Sequence, residues 1–336
     1  MRPRHLMAPL VALLVAALLT FGGRPAARAA ALHPVATSAQ ALPATQITSK
    51  VTLPETSIDS PALDSLPTGG ANESVIAWTG DDVSHHLNVE TSADGLRFGH
   101  KLTLNETSSF RPDVAISSVG GPISVAWTGT DANHALNVLY DVYGSSPKKL
   151  TLYNESSFTA PALLVSPGFF LAWTGTDANH SLNILSLSVT SSGLVPGQKT
   201  VLSQDSSIAA PHMARGSATV IDLAWTSRAL QPMLAAATEP AGLQPGAAIP
   251  EQSAFAPAIF AIGPFIGAGN LQWLGWTGTD PAHHLNLEST ATQFPGPKTI
   301  LEETALGGPA LSFNNGNLIA WTGTDAAHHL NIAKFA

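Results

Sequence analysis

The chain of 336 residues has no cysteine, which excludes disulfides, thiol catalysis and thiolate metal sites. Charged residues make up only 11% of it, about half the share usual in globular proteins. Long, charged, solvent-facing helices are therefore not expected. Past residue 31 no apolar run approaches the ~20 residues that a membrane-spanning helix needs. Arginine is also scarce there, with only Arg97, Arg111, Arg215 and Arg228. What the chain has instead is glycine (28), proline (25), serine and threonine, a mix that suits short strands joined by many turns.

The first 31 residues form a separate object. Arg2 and Arg4 precede an apolar run from Leu6 to Phe21, and Ala27-Arg28-Ala29 or Ala29-Ala30-Ala31 offers a small-residue cleavage site. This three-part layout is that of a secretory signal peptide. Its removal takes four basic residues and no acidic one, leaving 11 basic against 23 acidic, a net charge of −12. A nucleic-acid partner needs a basic footprint that this chain lacks. Binding to anionic membranes is excluded on the same ground. Residues 32–47, rich in Ala, Pro, Ser and Thr without a period, read as a flexible leader.

The rest is periodic. Six tryptophans, Trp78, Trp127, Trp173, Trp225, Trp276 and Trp321, lie 49, 46, 52, 51 and 45 residues apart. Five of them open the phrase Trp-Thr-Gly, and Trp225 opens a damaged copy. A second phrase, Lys-x-Thr-Leu with Glu-Thr-Ser after it, stands in full from Lys50 and Lys101 and recurs in variant form from Lys149, Lys199 and Lys298, with a weaker version from Ala247. Four residues after each serine position stands a proline: Pro61, Pro112, Pro161, Pro211, Pro257 and Pro309. Each unit thus holds four short runs: after the proline, around the tryptophan, from Leu-Asn, and at Lys-x-Thr-Leu. Four strands of about five residues in a fixed ~48-residue unit indicate a six-bladed β-propeller. The chain ends after the third strand of its sixth unit, and the orphan strand at Lys50 to Leu53 is the piece that blade lacks. Letting it complete the last blade closes the ring and removes an edge.

Between the second and third strands, five units carry Asp-x-x-His-x-Leu-Asn. The polar residues are Asp82, His85 and Asn88, then Asp131, His134 and Asn137, and Asp177, His180 and Asn183. Asp280, His283 and Asn286 follow in the fifth unit, and Asp325, His328 and Asn331 in the sixth. In the fourth, Leu234 aligns with the leucine, and Ala229, Pro232 and Ala235 replace the polar three. Two roles fit these residues. They staple a tight turn through side-chain to backbone hydrogen bonds, or they present donors and acceptors to a ligand. The crossings from one unit to the next belong on the same rim and bring Glu55, Glu106, Glu155, Asp205, Glu251 and Glu303, each six residues before its proline. Repeated planar polar groups suit sugars, and multiple modest sites combine into avidity. Asp and His three apart give two metal ligands where zinc takes three or four, so no metal is expected. Among residues outside the pattern, Arg111 stands out, at the start of an inner strand near the channel.

The two phrases resemble a group of secreted bacterial repeat propellers whose units read Lys-x-Thr-Leu-x-Glu-Thr-Ser, Pro-Ala-Leu and Leu-Ala-Trp-Thr-Gly-Thr-Asp-x-x-His-His-Leu-Asn, over residues 48–336. More distantly the chain resembles the Asp-box propellers of sialidases. Ser92-Ala93-Asp94-Gly95-Leu96-Arg97-Phe98 is similar to a shortened Asp-box at the expected place. Sialidases use three arginines, a tyrosine with a glutamate partner, and an acid/base aspartate. Two of the four arginines here, Arg97 and Arg215, belong at strand ends on the opposite rim. The resemblance therefore implies fold and secreted setting rather than hydrolysis.

The expectation is a secreted monomer with a signal peptide (1–31), a leader (32–47) and a six-bladed propeller (48–336). It binds carbohydrate or another extracellular ligand through the rim of repeated turns and crossings, with Arg111 among the contacts, and uses no cofactor. The alternatives are a sialidase-like glycoside hydrolase with a divergent centre, and a structural or protein-interaction scaffold.

Overall fold

The computed structural model describes residues 45–336, except 69–70, 119, 166–167, 216–219, 238–241, 244, 263–270, 291–295 and 315. The expected signal peptide and nearly all of the expected leader lie outside the described residues. Strand β1 (Ile47–Thr56) comes first. Blade 1 is β2 (Ala62–Thr68), β3 (Ala71–Thr79), β4 (His86–Ser92) and β5 (Gly99–Thr107). Blade 2 is β6 (Asp113–Ile116), β7 (Ile123–Thr128), β8 (Ala135–Tyr140) and β9 (Lys148–Ser156). Blade 3 is β10 (Ala162–Leu164), β11 (Phe169–Thr174), β12 (Ser181–Thr190) and β13 (Gly193–Ser206). Blade 4 is β14 (His212–Arg215), β15 (Ile221–Thr226), β16 (Pro232–Ala237) and the short β17 (Ala247–Ala248). Blade 5 is β18 (Ala258–Ile262), β19 (Leu271–Thr277), β20 (His284–Thr290) and β21 (Lys298–Thr304). Blade 6 is β22 (Ala310–Phe313), β23 (Asn317–Thr322), β24 (His329–Phe335) and β1.

All pairings within blades are antiparallel, and the inner strands β2, β6, β10, β14, β18 and β22 neighbour one another around the axis. This is the expected six-bladed propeller, closed as expected by β1 pairing with β24. Gln46 already exchanges both backbone bonds with Ala336, at 3.1 Å each, so the pairing reaches back into the segment read as leader.

Each of the six repeat tryptophans is 1% exposed and packs between its own blade and the one before it. Trp173, for example, lies with Ala126, Leu136 and Val138 of blade 2 and with Leu171 and Leu185 of blade 3. A lysine covers the ring. Lys50, Lys101, Lys149, Lys199 and Lys298 place their Nζ 5.1–5.4 Å from the centroids of Trp321, Trp78, Trp127, Trp173 and Trp276. Each lysine also pairs with the crossing glutamate of the preceding blade: Lys149 with Glu106 (2.6 Å), Lys199 with Glu155 (2.5 Å) and Lys50 with Glu303 (2.5 Å). Lys101 with Glu55 and Lys298 with Glu251 repeat the contact. The chain Glu–Lys–Trp therefore ties neighbouring blades at five interfaces. A partly exposed ion pair contributes ~0.2–1 kcal/mol and an exposed cation–π contact about as much, so the buried indole is the dominant member.

Blade 4 has no such lysine. Gly246 takes its place, with its N–H donating to Asp205 Oδ1 at 3.2 Å. A Cβ on Gly246 would lie 2.2 Å from a ring carbon of the buried Trp225, so only glycine fits. Gly246→Ala is expected to lower stability by ~1–3 kcal/mol through overpacking, read as a drop in the urea midpoint. An unchanged midpoint would show that the indole yields freely.

Register also corrects the reading of blade 4. Thr226 pairs with Pro232 and Trp225 with Met233, where blade 3 pairs Thr174 with Leu182 and Trp173 with Asn183. The turn is two residues shorter, so Pro232 holds the leucine position, Met233 the asparagine position and Leu230 the histidine position. The alignment through Ala229, Leu234 and Ala235 assumed equal turn lengths and was out of register.

Candidate functional site on the rim

The repeated turns and the crossings share one rim. The carbonyls of His85, His134, His180, His283 and His328 accept the N–H groups of Ser108, Ser157, Ser207, Ala305 and Ser57 at 3.1–3.2 Å. These five histidines have φ between 50° and 58°, the left-handed region that histidine enters more readily than most residues. Leu230 takes the same conformation in blade 4, φ 60°, and its carbonyl likewise receives Ser253 N–H.

The threonine after each repeat tryptophan is buried in all six blades, and its hydroxyl donates to a carbonyl of a crossing. Thr79 reaches Phe110 and Thr128 reaches Thr159; Thr174 reaches Ala209 and Thr226 reaches Phe255; Thr277 reaches Gly307 and Thr322 reaches Asp59. The glycine is required by crowding. A Cβ on Gly175 would lie 2.7 Å from Asp177 Oδ2 and 2.8 Å from Asn183 Nδ2. Blade 4, which lacks that Asp and Asn, carries Ser227 there.

The aspartates close the turns. Asp177 Oδ1 accepts Asn179 N–H (2.9 Å) and Ser181 Oγ–H (3.1 Å), while Oδ2 accepts Ser181 N–H (3.1 Å). Asp131 accepts the N–H groups of Asn133 and Ala135. Asp82, Asp280 and Asp325 do the same and add a contact to the second histidine. His86 Nδ1 lies 2.8 Å from Asp82 Oδ1, His284 Nδ1 2.7 Å from Asp280 Oδ1, and His329 Nδ1 2.8 Å from Asp325 Oδ1. Desolvation, the largest single influence, pushes the carboxyls of Asp82, Asp177, Asp280 and Asp325 up, but the surrounding donors together outweigh it and hold them below the ordinary range. The partner of the aspartate is thus the histidine that varies between blades, not His85, His283 or His328.

The asparagines are nearly fully buried, 3–6% exposed. Asn88, Asn137, Asn183, Asn286 and Asn331 each donate Nδ2–H to the carbonyl two residues earlier, at 2.9–3.0 Å. In three blades Oδ1 also accepts a threonine hydroxyl of the outer strand, from Thr103, Thr151 and Thr52, at 2.7 Å. Glu55, Glu106, Glu155 and Glu303 are held in the lysine pairs already described.

What remains presented on the rim is a set of rings. Phe158, 46% exposed, stacks on His180 with centroids 4.2 Å apart. Phe110 meets His134 at 6.5 Å and Phe255 meets His283 at 5.6 Å. His283 Nδ1 is buried and has no partner among the described residues. Ile58 and Leu306 stand where Phe158 does at the crossings into blades 1 and 6. Hydroxyl pairs accompany two of the ring pairs, Ser156 with Thr176 (2.7 Å) in blade 3 and Thr107 with Thr130 (3.2 Å) in blade 2, and a third, Thr304 with Thr324 (2.7 Å), lies in blade 6 beside Leu306. Sequence reasoning passed over the phenylalanines, although an aromatic one or two residues after the crossing serine was a signal to be read.

Arg111 is not part of this display. It is 4% exposed, its Nη2 donates to Pro211 O of blade 4 at 3.3 Å, and its Nη1 lies 3.7 Å from Asp113 Oδ1. The guanidinium thus reaches from blade 2 to blade 4 inside the ring. A cavity of about 330 Å³ is lined by Asp64, Asp113, His212 and Arg215 together with apolar side chains such as Phe260 and Phe313. Three of the polar groups bind the backbone of the next inner strand. Asp64 Oδ2 accepts Ile116 N–H (2.8 Å), Asp113 Oδ2 accepts Leu163 N–H (2.6 Å) and His212 Nδ1 accepts Ile259 N–H (3.3 Å). Burial raises the Asp64 and Asp113 carboxyls to about 6 and pushes His212 down to about 3, where it stays neutral and serves as an acceptor.

The turn between β4 and β5 is organised by Asp94. Asp94 Oδ1 accepts the N–H groups of Leu96 (2.9 Å) and Arg97 (2.8 Å), and Oδ2 accepts Arg97 Nε–H (2.7 Å). The Arg97 N–H, ahead of the opposing desolvation, holds this carboxyl far below the usual range. Gly95 is required twice over, by φ 76° and by Leu318, whose Cδ1 would lie 2.7 Å from a Cβ there.

No protein-family model matches the chain, and no curated protein is detectably similar in sequence. Solved structures are similar in fold. A Hadza microbial sialidase matches with TM-score 0.55 and 13% identity over 83% of this chain, which spans 66% of that protein. A lectin of Aleuria aurantia in complex with α-methyl-L-fucoside matches with TM-score 0.58 and 10% identity over 85% of this chain and 97% of the lectin. The α-L-arabinofuranosidase of Fusarium graminearum in complex with arabinobiose matches with TM-score 0.57 and 8% identity, over 85% of this chain and 98% of the enzyme. At these identities the likeness shows a shared β-propeller fold.

Proposed function

We propose that this chain is an exported glycan-binding propeller whose contacts lie in the rim clefts of blades 2, 3 and 5. The observation that carries the reading is the Phe158–His180 stack, with an exposed aromatic face beside the hydroxyls of Ser156 and Thr176. An apolar ring face with adjacent planar donors and hydroxyls matches a sugar, whose C–H face stacks and whose hydroxyls need both donors and acceptors. The Asp, Asn, Thr and Gly shared by the five intact turns hold the clefts in place rather than meeting the ligand. Three weak sites on one rigid rim favour branched or repeating glycans through effective concentration. The sialidase, lectin and arabinofuranosidase neighbours support a sugar ligand by analogy of fold only.

The test is binding to a glycan array without turnover, followed by Phe158→Ala. Because Phe158 is half exposed, the variant is expected to keep its melting temperature within a few degrees and to lose about tenfold in affinity for the best glycan. An array on which no glycan binds, or unchanged affinity in the variant, would overturn the reading.

A further inference from the structure

The fourth blade breaks the polar pattern, and its shortened turn introduces the opposite charge. Three residues after the tryptophan the other blades carry threonine, or Asp81 in blade 1, and blade 4 carries Arg228. No acidic residue follows in that turn, whereas every other turn has its aspartate. Arg228 is exposed, and its Nη2 donates to Ala178 O at 2.7 Å, in the turn of blade 3. Among the described residues no carboxylate forms an ion pair with it. Ala178 follows Asp177 and precedes His180 by two residues, and the His180 ring is the one stacked on Phe158. The blade 3 turn therefore has an aromatic face at one end and a docked guanidinium at the other. Among the described residues the other intact turns have no such cation.

We infer that the blade 3 turn is a specificity subsite for acidic sugars, with Arg228 receiving the carboxylate of a uronate-type residue while Phe158 stacks on its ring. This rests on the glycan reading and narrows it. One N–H of the guanidinium is spent on Ala178, which fixes its position and leaves the remaining donors to form a bidentate pair with a carboxylate. The wider field makes such a local cation necessary. Past residue 31 the chain carries a net charge of −12, which repels anionic ligands in general, so an acidic sugar is held only where a positive group faces it directly. Blade 4 adds no second carboxylate at this interface, and the turn's own Asp177 is turned inward onto Asn179 N–H and the N–H and hydroxyl of Ser181. The blade that departs most from the repeat is then the one that sets selectivity.

The full chain is titrated calorimetrically with oligogalacturonate and with its methyl ester, a pair that differs in charge at fixed sugar structure. The free acid is expected to bind about tenfold more tightly than the ester. Arg228→Gln is expected to bring acid and ester to equal affinity without lowering the melting temperature, and Phe158→Ala to weaken both forms. Equal affinity for acid and ester in the native chain, or a preference that survives Arg228→Gln, overturns the inference. If neither form binds while neutral glycans bind on an array, the inference falls and the rim reading stands. If no glycan binds at all, both fall.

Discussion

Bringing the protein from pH 7 to about pH 4 is expected to stabilise it, against the common tendency of folded proteins to weaken in acid. The Asp64 and Asp113 carboxyls titrate near 6 in the fold and near the ordinary 3.8 in the unfolded chain. Between those values the folded state holds more protons than the unfolded one, so stability falls as pH rises through the window. Each group alone corresponds to a few kcal/mol at ~1.4 kcal/mol per pH unit, and the two are coupled, so the joint effect is of that order. Burial also raises Glu90, Asp205 and Glu288 and reinforces the trend. The turn aspartates Asp82, Asp177, Asp280 and Asp325 act in the opposite sense, and their contribution is lost only as pH falls below the unfolded value. His212 also acts in the opposite sense: burial holds it near 3 in the fold against 6.5 in the unfolded chain, so below about pH 6 it offsets about one of the two carboxyls. The net gain is therefore about that of a single carboxyl, with the maximum expected near pH 4. Asp64→Asn keeps a carbonyl oxygen as acceptor but has no charge to desolvate, so it should flatten the slope between about pH 4 and 7. It gives up one backbone bond at every pH, and its deficit relative to the native chain should shrink or reverse towards neutrality. Urea unfolding of both proteins across the range is the check. A deficit that stays constant with pH would show that the Asp64 carboxyl does not titrate in this window.

Trp173→Ala is expected to cost ~3–5 kcal/mol, the range for truncating a fully buried tryptophan. The loss has three parts that the structure separates. The indole leaves a cavity between blades 2 and 3, Lys199 loses the ring beneath it, and the Lys199–Glu155 pair loses the surface that positions it. Lys199→Met removes the last two and keeps apolar cover over the ring, so it should cost ~1 kcal/mol or less. A Lys199→Met variant as unstable as Trp173→Ala would mean that the cation, not the indole, holds the interface. The glycan contacts proposed for blades 2 and 5 should survive Lys199→Met, because Phe110 and Phe255 lie in other clefts.

Much of the architecture was legible because it repeats. The tryptophan period, the proline that opens each inner strand and the placement of β1 in the last blade all follow from residues that recur at fixed spacing. The role of the crossing glutamates was not legible in the same way. Glu106 and Lys149 are fixed members of the same phrase, but they meet across an interface, 43 residues apart, and nothing within one unit says that they touch. The fourth blade defeated alignment because its turn is two residues shorter, and a gap in a damaged motif has no anchor until pairing shows Trp225 opposite Met233. The channel was the hardest part. Asp113 and His212 stand at the position after proline where four other blades carry alanine, and that departure from the repeat was the only sign of them. The rim clefts fell between these cases. Their histidines were named from the sequence, while the phenylalanines that pack on them lie on a separate segment.

The pairing of β1 with β24 has a consequence for how the ring comes together. Thr48 donates to Lys334 O across 286 residues of sequence, and Lys50 of the same strand caps Trp321. Blades 1 to 5 are each made of consecutive strands and need only local closure, whereas blade 6 waits for the two most distant strands to meet. Loop-closure entropy grows slowly with length, so this last joint is thermodynamically affordable but kinetically late. The propeller should therefore assemble as an open arc that snaps shut at a single seam, and mechanical or chemical stress should open it at that same seam first.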